Sequence, residues 1–210
     1  MARPRQISDQ DILVEVRRAA LESGPRFSLD LVAERLGVTA PALFKRFGNR
    51  NTLLIGALKP SRPPFLDELE AGPDERPLRP QLTELFQKLG TWLQTSVPCM
   101  MALKESGVPA AELEAAFEDA PPVLIVRTMA RWLERAHGRH LARVVEPEAT
   151  AMAMLGALQT RAFLQHMLRK TSLPRDLVQD AKRLCTLFCD GIAPRAAPAT
   201  TKPKPRSRAR

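Results

Sequence analysis

The segment from Leu29 to Arg50, LDLVAERLGVTAPALFKRFGNR, gathers the residues best suited to recognition chemistry. Lys45 and Arg46 are adjacent cations that match phosphate oxygens or the acceptor edge of guanine. Thr39 and Ala42 match a phosphate or a thymine methyl. Ser28 precedes an apolar run, where a hydroxyl beside free helix amides favours a phosphate. Arg50 stands at the end of the segment, placed to hold a flanking strand. Nothing comparable points to bond-making. The closest glycines are eight residues apart, so there is no glycine-rich phosphate loop. G-x-S-x-G, H-E-x-x-H and Cys-x-x-Cys are all missing. The expectation is a protein that is not an enzyme and has no cofactor.

The elements that must position these side chains are helices. Ser8 caps a first helix with Asp11 in the capping-box position, and Ile12, Leu13, Val16, Ala19 and Ala20 form its apolar face. Gly24-Pro25 stops it. Ser28 caps a short helix from Leu29 to Leu36, closed by Gly37. Thr39 caps a third, with Pro41 tolerated in its first turn and Gly48 at its end. Asn49 caps a fourth, which Pro60 ends. Ala33 is small where two helices cross, and Gly37 supplies the positive φ of a tight turn. Val32, Leu36, Val38, Leu43 and Phe47 are spaced to fill the core between them. This small-x3-Gly-x5-apolar pattern is that of a helix-turn-helix, whose second helix lies in the DNA major groove.

The run Phe27 to Arg50 closely resembles the DNA-binding region of the tetracycline-repressor (TetR) family, and residues 8–58 carry the resemblance. It implies an all-α homodimer that regulates transcription, most members being repressors released from operator DNA by a small ligand in the larger C-terminal domain. By position it implies DNA contacts at Ser28, Thr39, Ala40, Pro41, Ala42, Phe44, Lys45, Arg46 and Arg50. Phe44 stands where a tyrosine is usual and lacks its phosphate-holding hydroxyl, so it is expected against sugar or a thymine methyl. Arg50 replaces a usual lysine, keeping the charge and adding a fork. The fourth helix departs most: Lys59-Pro60-Ser61-Arg62-Pro63-Pro64 cuts short what is normally a long connector.

Charge and composition fit this organisation. Residues 1–62 carry a net +5, residues 63–192 a net −2 and residues 193–210 a net +6, so basic ends flank a slightly acidic middle. That suits a polyanion at the ends, although solvated tails have the same composition. No apolar stretch reaches about 18 residues, so no membrane span is expected. A charged N-terminus without a signal region and only three cysteines fit a cytoplasmic protein. The divisions expected are a helix-turn-helix DNA-binding domain over 1–59, a Pro-rich linker over 60–80 with a helical turn near Phe65–Glu70, a helical ligand-binding and dimerisation domain over 81–192, and a basic disordered tail over 193–210. In the third, Leu82 to Leu93 and Val97 to Ser106 read as two helices. Val123–Val126 looks strand-like but runs into a helical pattern. Pro147 opens a helix to about Lys170, and Pro174 opens the last.

Those last two helices carry the expected dimer surface, with Leu155, Leu158 and Ala162 on one and Leu177, Leu184 and Phe188 on the other. The alternative is ordinary intrachain core. Phe86, Trp92, Met100, Met101, Phe117, Met129 and Trp132 are the candidates for lining the pocket of an apolar small-molecule effector. They fit plain core as well. Cys185 and Cys189, four apart, suit a thiol sensor, a metal pair or small apolar packing. His137 and His140 lie among Arg135, Arg139 and Arg143, which disfavours a divalent ion, and no metal is expected. The partners expected are a pseudo-palindromic double-stranded DNA operator, a second copy of the chain and a small-molecule effector, with no membrane. The competing readings are a constitutive DNA-binding regulator without a ligand and a helical protein-binding adaptor.

Overall fold

The computed structural model describes residues 7–24, 26–117, 120–168 and 176–191. Pro25, Lys170, Pro174 and the basic tail lie outside the described residues. Every regular element among the described residues is an α-helix. The first four are α1 (Asp9–Ser23), α2 (Leu29–Leu36), α3 (Ala40–Phe47) and α4 (Arg50–Leu58). Each begins at a side chain that takes up an orphan amide. Ser8 Oγ accepts from the Asp11 amide at 3.1 Å, and the Asp11 carboxylate accepts from the Ser8 amide at 3.0 Å. Ser28, Thr39 and Asn49 cap the next three. Each such cap contributes about 0.5–2 kcal/mol. Gly37, at φ 66°, turns the chain between α2 and α3 in the left-handed region open to glycine.

The remaining helices are α5 (Leu66–Ala71), α6 (Leu78–Glu105), α7 (Ala110–Ala116), α8 (Pro121–Gly138), α9 (Pro147–Met167) and α10 (Leu177–Asp190). The strand-like run Val123–Val126 is helical, because Pro121 starts α8 and Ile125, Met129 and Leu133 then share its buried face. Residues 60–80 hold more order than their prolines imply. Phe65, Leu66 and Leu69 are fully buried against α8, and α6 already begins at Leu78.

The two helices expected across residues 82–106 are one helix of 28 residues, about 42 Å long. Pro98 sits inside it and cannot donate to the Gln94 carbonyl. The helix continues because burial on both sides of the proline outweighs one lost hydrogen bond. Val97 is buried in a core with Phe86, Leu89, Ile125, Met129 and Leu158. Cys99, Ala102 and Leu103 are buried in another, with Ile12, Val16, Leu53 and Leu54. α6 thus runs through both cores, and Pro98 marks the crossing. Gly90 lets α10 approach it closely: a Cβ there would meet the Leu177 side chain at 3.1 Å.

Candidate nucleic-acid interface and effector site

Leu43 anchors α3 by burial, worth about 1.5–3 kcal/mol, and Phe47 packs beside it. The opposite face is therefore outward. Pro41, Ala42, Phe44 and Lys45 are exposed there, with Thr39 at the start and Ala40 half-buried. Lys45 has no hydrogen bond or ion pair to any other described residue, so its ammonium is free for a ligand. Thr39 Oγ1 accepts from the Ala42 amide at 3.4 Å and retains its hydroxyl proton for an acceptor. Ser28 is also exposed, but its hydroxyl lies 3.3 Å from the Asp30 carboxylate, which a phosphate would have to displace.

Two of the expected contacts are engaged inside the chain. Arg46 Nε pairs with Asp9 at 2.7 Å, and its Nη1 donates to the Ile7 carbonyl at 2.6 Å. Its charge braces α3 against the start of α1. Arg50 stacks over the Phe27 ring, 6.0 Å from the centroid, and donates to the Ser106 carbonyl at 3.4 Å. Next to it, Asn51 Nδ2 donates to both Glu112 oxygens, at 3.0 and 3.2 Å. The start of α4 is thus tied to the end of α6 and to α7.

The residues expected to line a pocket are mostly packing. Phe86, Met129 and Trp132 are buried in the larger core, and Met101 packs against it. Met100 is half-buried. Phe117 lies under the Lys59 ammonium, 5.7 Å from the ring centroid. Trp92 alone of the seven borders a large open concavity, about 650 Å³, flanked by α1, the end of α4, the Pro60–Pro64 turn, α5 and α6. A second, of about 770 Å³, lies among α6, the α8–α9 connection, α9 and the end of α10, with Phe188 on its wall. The first is made by the chain's turn at the proline cluster. That cluster was the available sequence signal, and helix periodicity does not report it.

The six residues expected at a dimer surface also lie mainly inward. Leu155, Leu158 and Ala162 are buried under α6 and α8. Leu184 packs against the same core, Leu177 covers Gly90, and Phe188 meets Phe86 at a centroid distance of 5.8 Å. The outward face of α9 carries Met152, Phe163 and Met167, between 42 and 60% exposed, along one stripe with Gly156. Behind this stripe Arg161 pairs with Asp180, which is 7% exposed, joining α9 to α10.

Cys185 and Cys189 lie 3.7 Å apart at sulfur, and Cys185 donates to the Arg79 carbonyl. Burial and the neighbouring Cys185 push the Cys189 thiol up to about 11, which keeps it protonated and unreactive near neutrality. No cluster of three or more His, Cys, Asp or Glu side chains suited to a metal occurs among the described residues. No helix among them is long and apolar enough to cross a membrane.

Sequence comparison finds no matching protein-family model and no curated relative. Structure comparison finds the TetR-family architecture along the chain. A protein assigned to the TetR family from Mesorhizobium loti aligns with a TM-score of 0.68 at 16% identity, over 86% of this chain and 94% of that one. PfmR, a TetR-family transcriptional regulator from Thermus thermophilus, aligns with a TM-score of 0.65 at 17% identity, over 87% and 99%. A TetR/AcrR-family regulator from Thermobifida fusca aligns with a TM-score of 0.59 at 16% identity, over 89% and 98%. The structural neighbours across the chain are TetR-family transcriptional regulators, and the protein has their all-helical fold.

Proposed function

We propose that this protein is a homodimeric transcription regulator that reads a pseudo-palindromic operator and is released from it by a small ligand. The observation that carries the reading is α3. It is capped by Thr39, held by Leu43 and the Gly37 turn, and presents Pro41, Ala42, Phe44 and Lys45, which is unpaired among the described residues, outward. A short helix with a polar start, small residues and a free cation fits the major groove. Phe44 offers an apolar edge to a thymine methyl. Arg46 acts by fixing the angle of α3, and Arg50 contacts phosphate from the start of α4.

The exposed stripe Met152, Gly156, Phe163 and Met167 supports self-association. A two-fold axis would set this self-complementary strip against its copy, and the small Gly156 allows close approach. Two copies then place two α3 helices about one DNA turn apart or slightly more. The ligand's influence reaches α3 through α6, whose last turns lie in the same core as α1 and α4.

The test is fluorescence anisotropy of labelled duplexes selected from a random-sequence pool, against scrambled duplexes, at about 150 mM salt. A preference of about a thousandfold or more is expected for a sequence-reading regulator. Equal, salt-sensitive affinity for both would mean phosphate binding without sequence reading. No binding to either would favour a protein-binding adaptor.

A further inference from the structure

We infer that the concavity beside the broken fourth helix is a binding site for a small amphipathic anion, a carboxylate or similar monoanion on an apolar body. The inference rests on the ligand-released reading above only for its effect on DNA, because binding itself can be measured without DNA.

The cavity lies where α4 ends at Leu58 and the chain turns through Pro60 and Pro64 onto α5. Its volume of about 650 Å³ is within the range that holds a drug-sized molecule. The apolar wall comes from Leu58, Phe65, Trp92 and Cys99. Trp92 is half-buried, so part of its indole already faces the opening. Such a wall favours an aromatic or aliphatic body.

The charges around it decide the class of ligand. Arg17, Lys59 and Lys88 border the cavity, against Glu68 as the one carboxylate among the described residues. Glu68 is already paired with Lys88. The formal balance is +2, so a cation on an apolar body would be repelled in spite of the exposed indole. Arg17 is set in place, because its Nε donates to the Ala57 carbonyl at 2.7 Å. The remaining guanidinium nitrogens have no hydrogen bond to any described residue. Thr91, Thr95 and Ser96 add hydroxyls along the α6 side. An anionic head beside Arg17, with its body against Trp92, meets all of these groups.

The position gives such a ligand leverage. Arg17 and Leu58 belong to the helices that carry α3, whereas Trp92 and Thr95 lie on α6 just before Pro98. An occupant wedged between them is sensitive to the angle of α1 and α4 against α6. A ligand that prefers one angle shifts the population towards it. The proline break, which removes the long connector, thereby makes room for the ligand at the joint.

The experiment uses two matched pairs of probes: decanoate with decan-1-ol, and 1-naphthaleneacetate with 1-naphthaleneacetamide. Binding is read by calorimetry on the unaltered chain and on each variant, and, except for Thr95→Trp, by Trp92 emission in a Trp132→Phe background. The anion of at least one pair is expected to bind tenfold or more tightly than its neutral partner. Lys59→Gln with Lys88→Gln should weaken that anion about tenfold and leave the neutral probe unchanged. Both positions are exposed, so the fold is not at stake. Thr95→Trp, which fills the cavity from an exposed helix position, should abolish both. The site is overturned if neither anion outbinds its neutral partner, or if Thr95→Trp leaves anion binding intact. Duplex affinity of the same proteins without probe separates the two readings. Sequence-specific DNA binding without anion binding removes this site and leaves the regulator. Anion binding without DNA binding does the reverse.

Discussion

Arg46 on the outward-facing helix α3 reaches Asp9 at the start of α1 across 2.7 Å, an exposed pair that ties the two helices together. Its neighbour Lys45 has no such partner among the described residues. Adjacent cations thus have separable roles. Lys45→Ala is expected to leave the melting temperature unchanged, weaken DNA binding across all sequences, and reduce the slope of log affinity against log salt by about two, one for each protomer on the operator. Arg46→Ala is expected to lower both the melting temperature and sequence preference, because α3 loses its brace. Paired anisotropy and thermal melts on the two variants check this.

The ion pair between Arg161 and Asp180 is buried behind the exposed stripe of α9. Removing one member leaves a charge without compensation. Asp180→Asn should therefore cost about 3–5 kcal/mol, whereas Arg161→Met with Asp180→Leu should recover most of that loss. Urea unfolding of Arg161→Met, Asp180→Leu and the double variant gives the coupling directly. A double-variant loss equal to the sum of the two single losses would show that the pair is not coupled.

Buried and exposed positions of α9 should respond differently. Leu155 is 4% exposed, and Leu155→Ala should cost about 2–5 kcal/mol of folding stability. Phe163 is 42% exposed, and Phe163→Glu should leave the protomer folded while shifting it to monomer in sedimentation velocity. The same variant should lose sequence-specific DNA binding, because each half-site alone is bound weakly. A folded Phe163→Glu dimer would move the interface elsewhere.

Arg76 carries a pH prediction. Its guanidinium donates to Asp74 at 2.9 Å and to both oxygens of Glu84 at 2.7 and 3.1 Å. These hydrogen bonds hold both carboxyls below the usual carboxylate range. A lowered carboxylate favours the folded state above its unfolded value, and that contribution is lost as pH falls through the lowered folded value. Arg76→Gln should thus be less stable than the natural chain at pH 7. The difference should shrink as pH falls below about 4, where unfolded carboxylates begin to hold their protons. Chemical melts at pH 7, 5, 4 and 3 read the convergence.

What was legible in the sequence is what is decided locally. Ser8, Ser28, Thr39 and Asn49 cap the helices assigned to them, because a cap depends on residues two or three places away. The Gly37 turn has the same origin. The division of residues 82–106 into two helices fails, because the local cost of the mid-helix Pro98 is outweighed by the burial of Val97 and Cys99 in separate cores. α9 misled in another way. It is apolar on most sides, so composition could not say that Leu155 and Leu158 face inward while Met152 and Phe163 face out. The concavity at Trp92 depends on where the chain turns after Leu58, and no periodicity records that.

The passage of α6 through both cores also limits modularity. A fragment ending at Lys59 would leave Ile12, Val16, Leu53 and Leu54 without Cys99, Ala102, Leu103 and Val108, which complete their packing. The proposed DNA-reading head is therefore not a portable cassette. Grafting its specificity onto another scaffold of this architecture requires either moving the segment 99–108 with it or exchanging only the outward side chains of α3. The second route keeps every buried contact, and it makes α3 the natural unit of change when such a chain diverges towards a new operator.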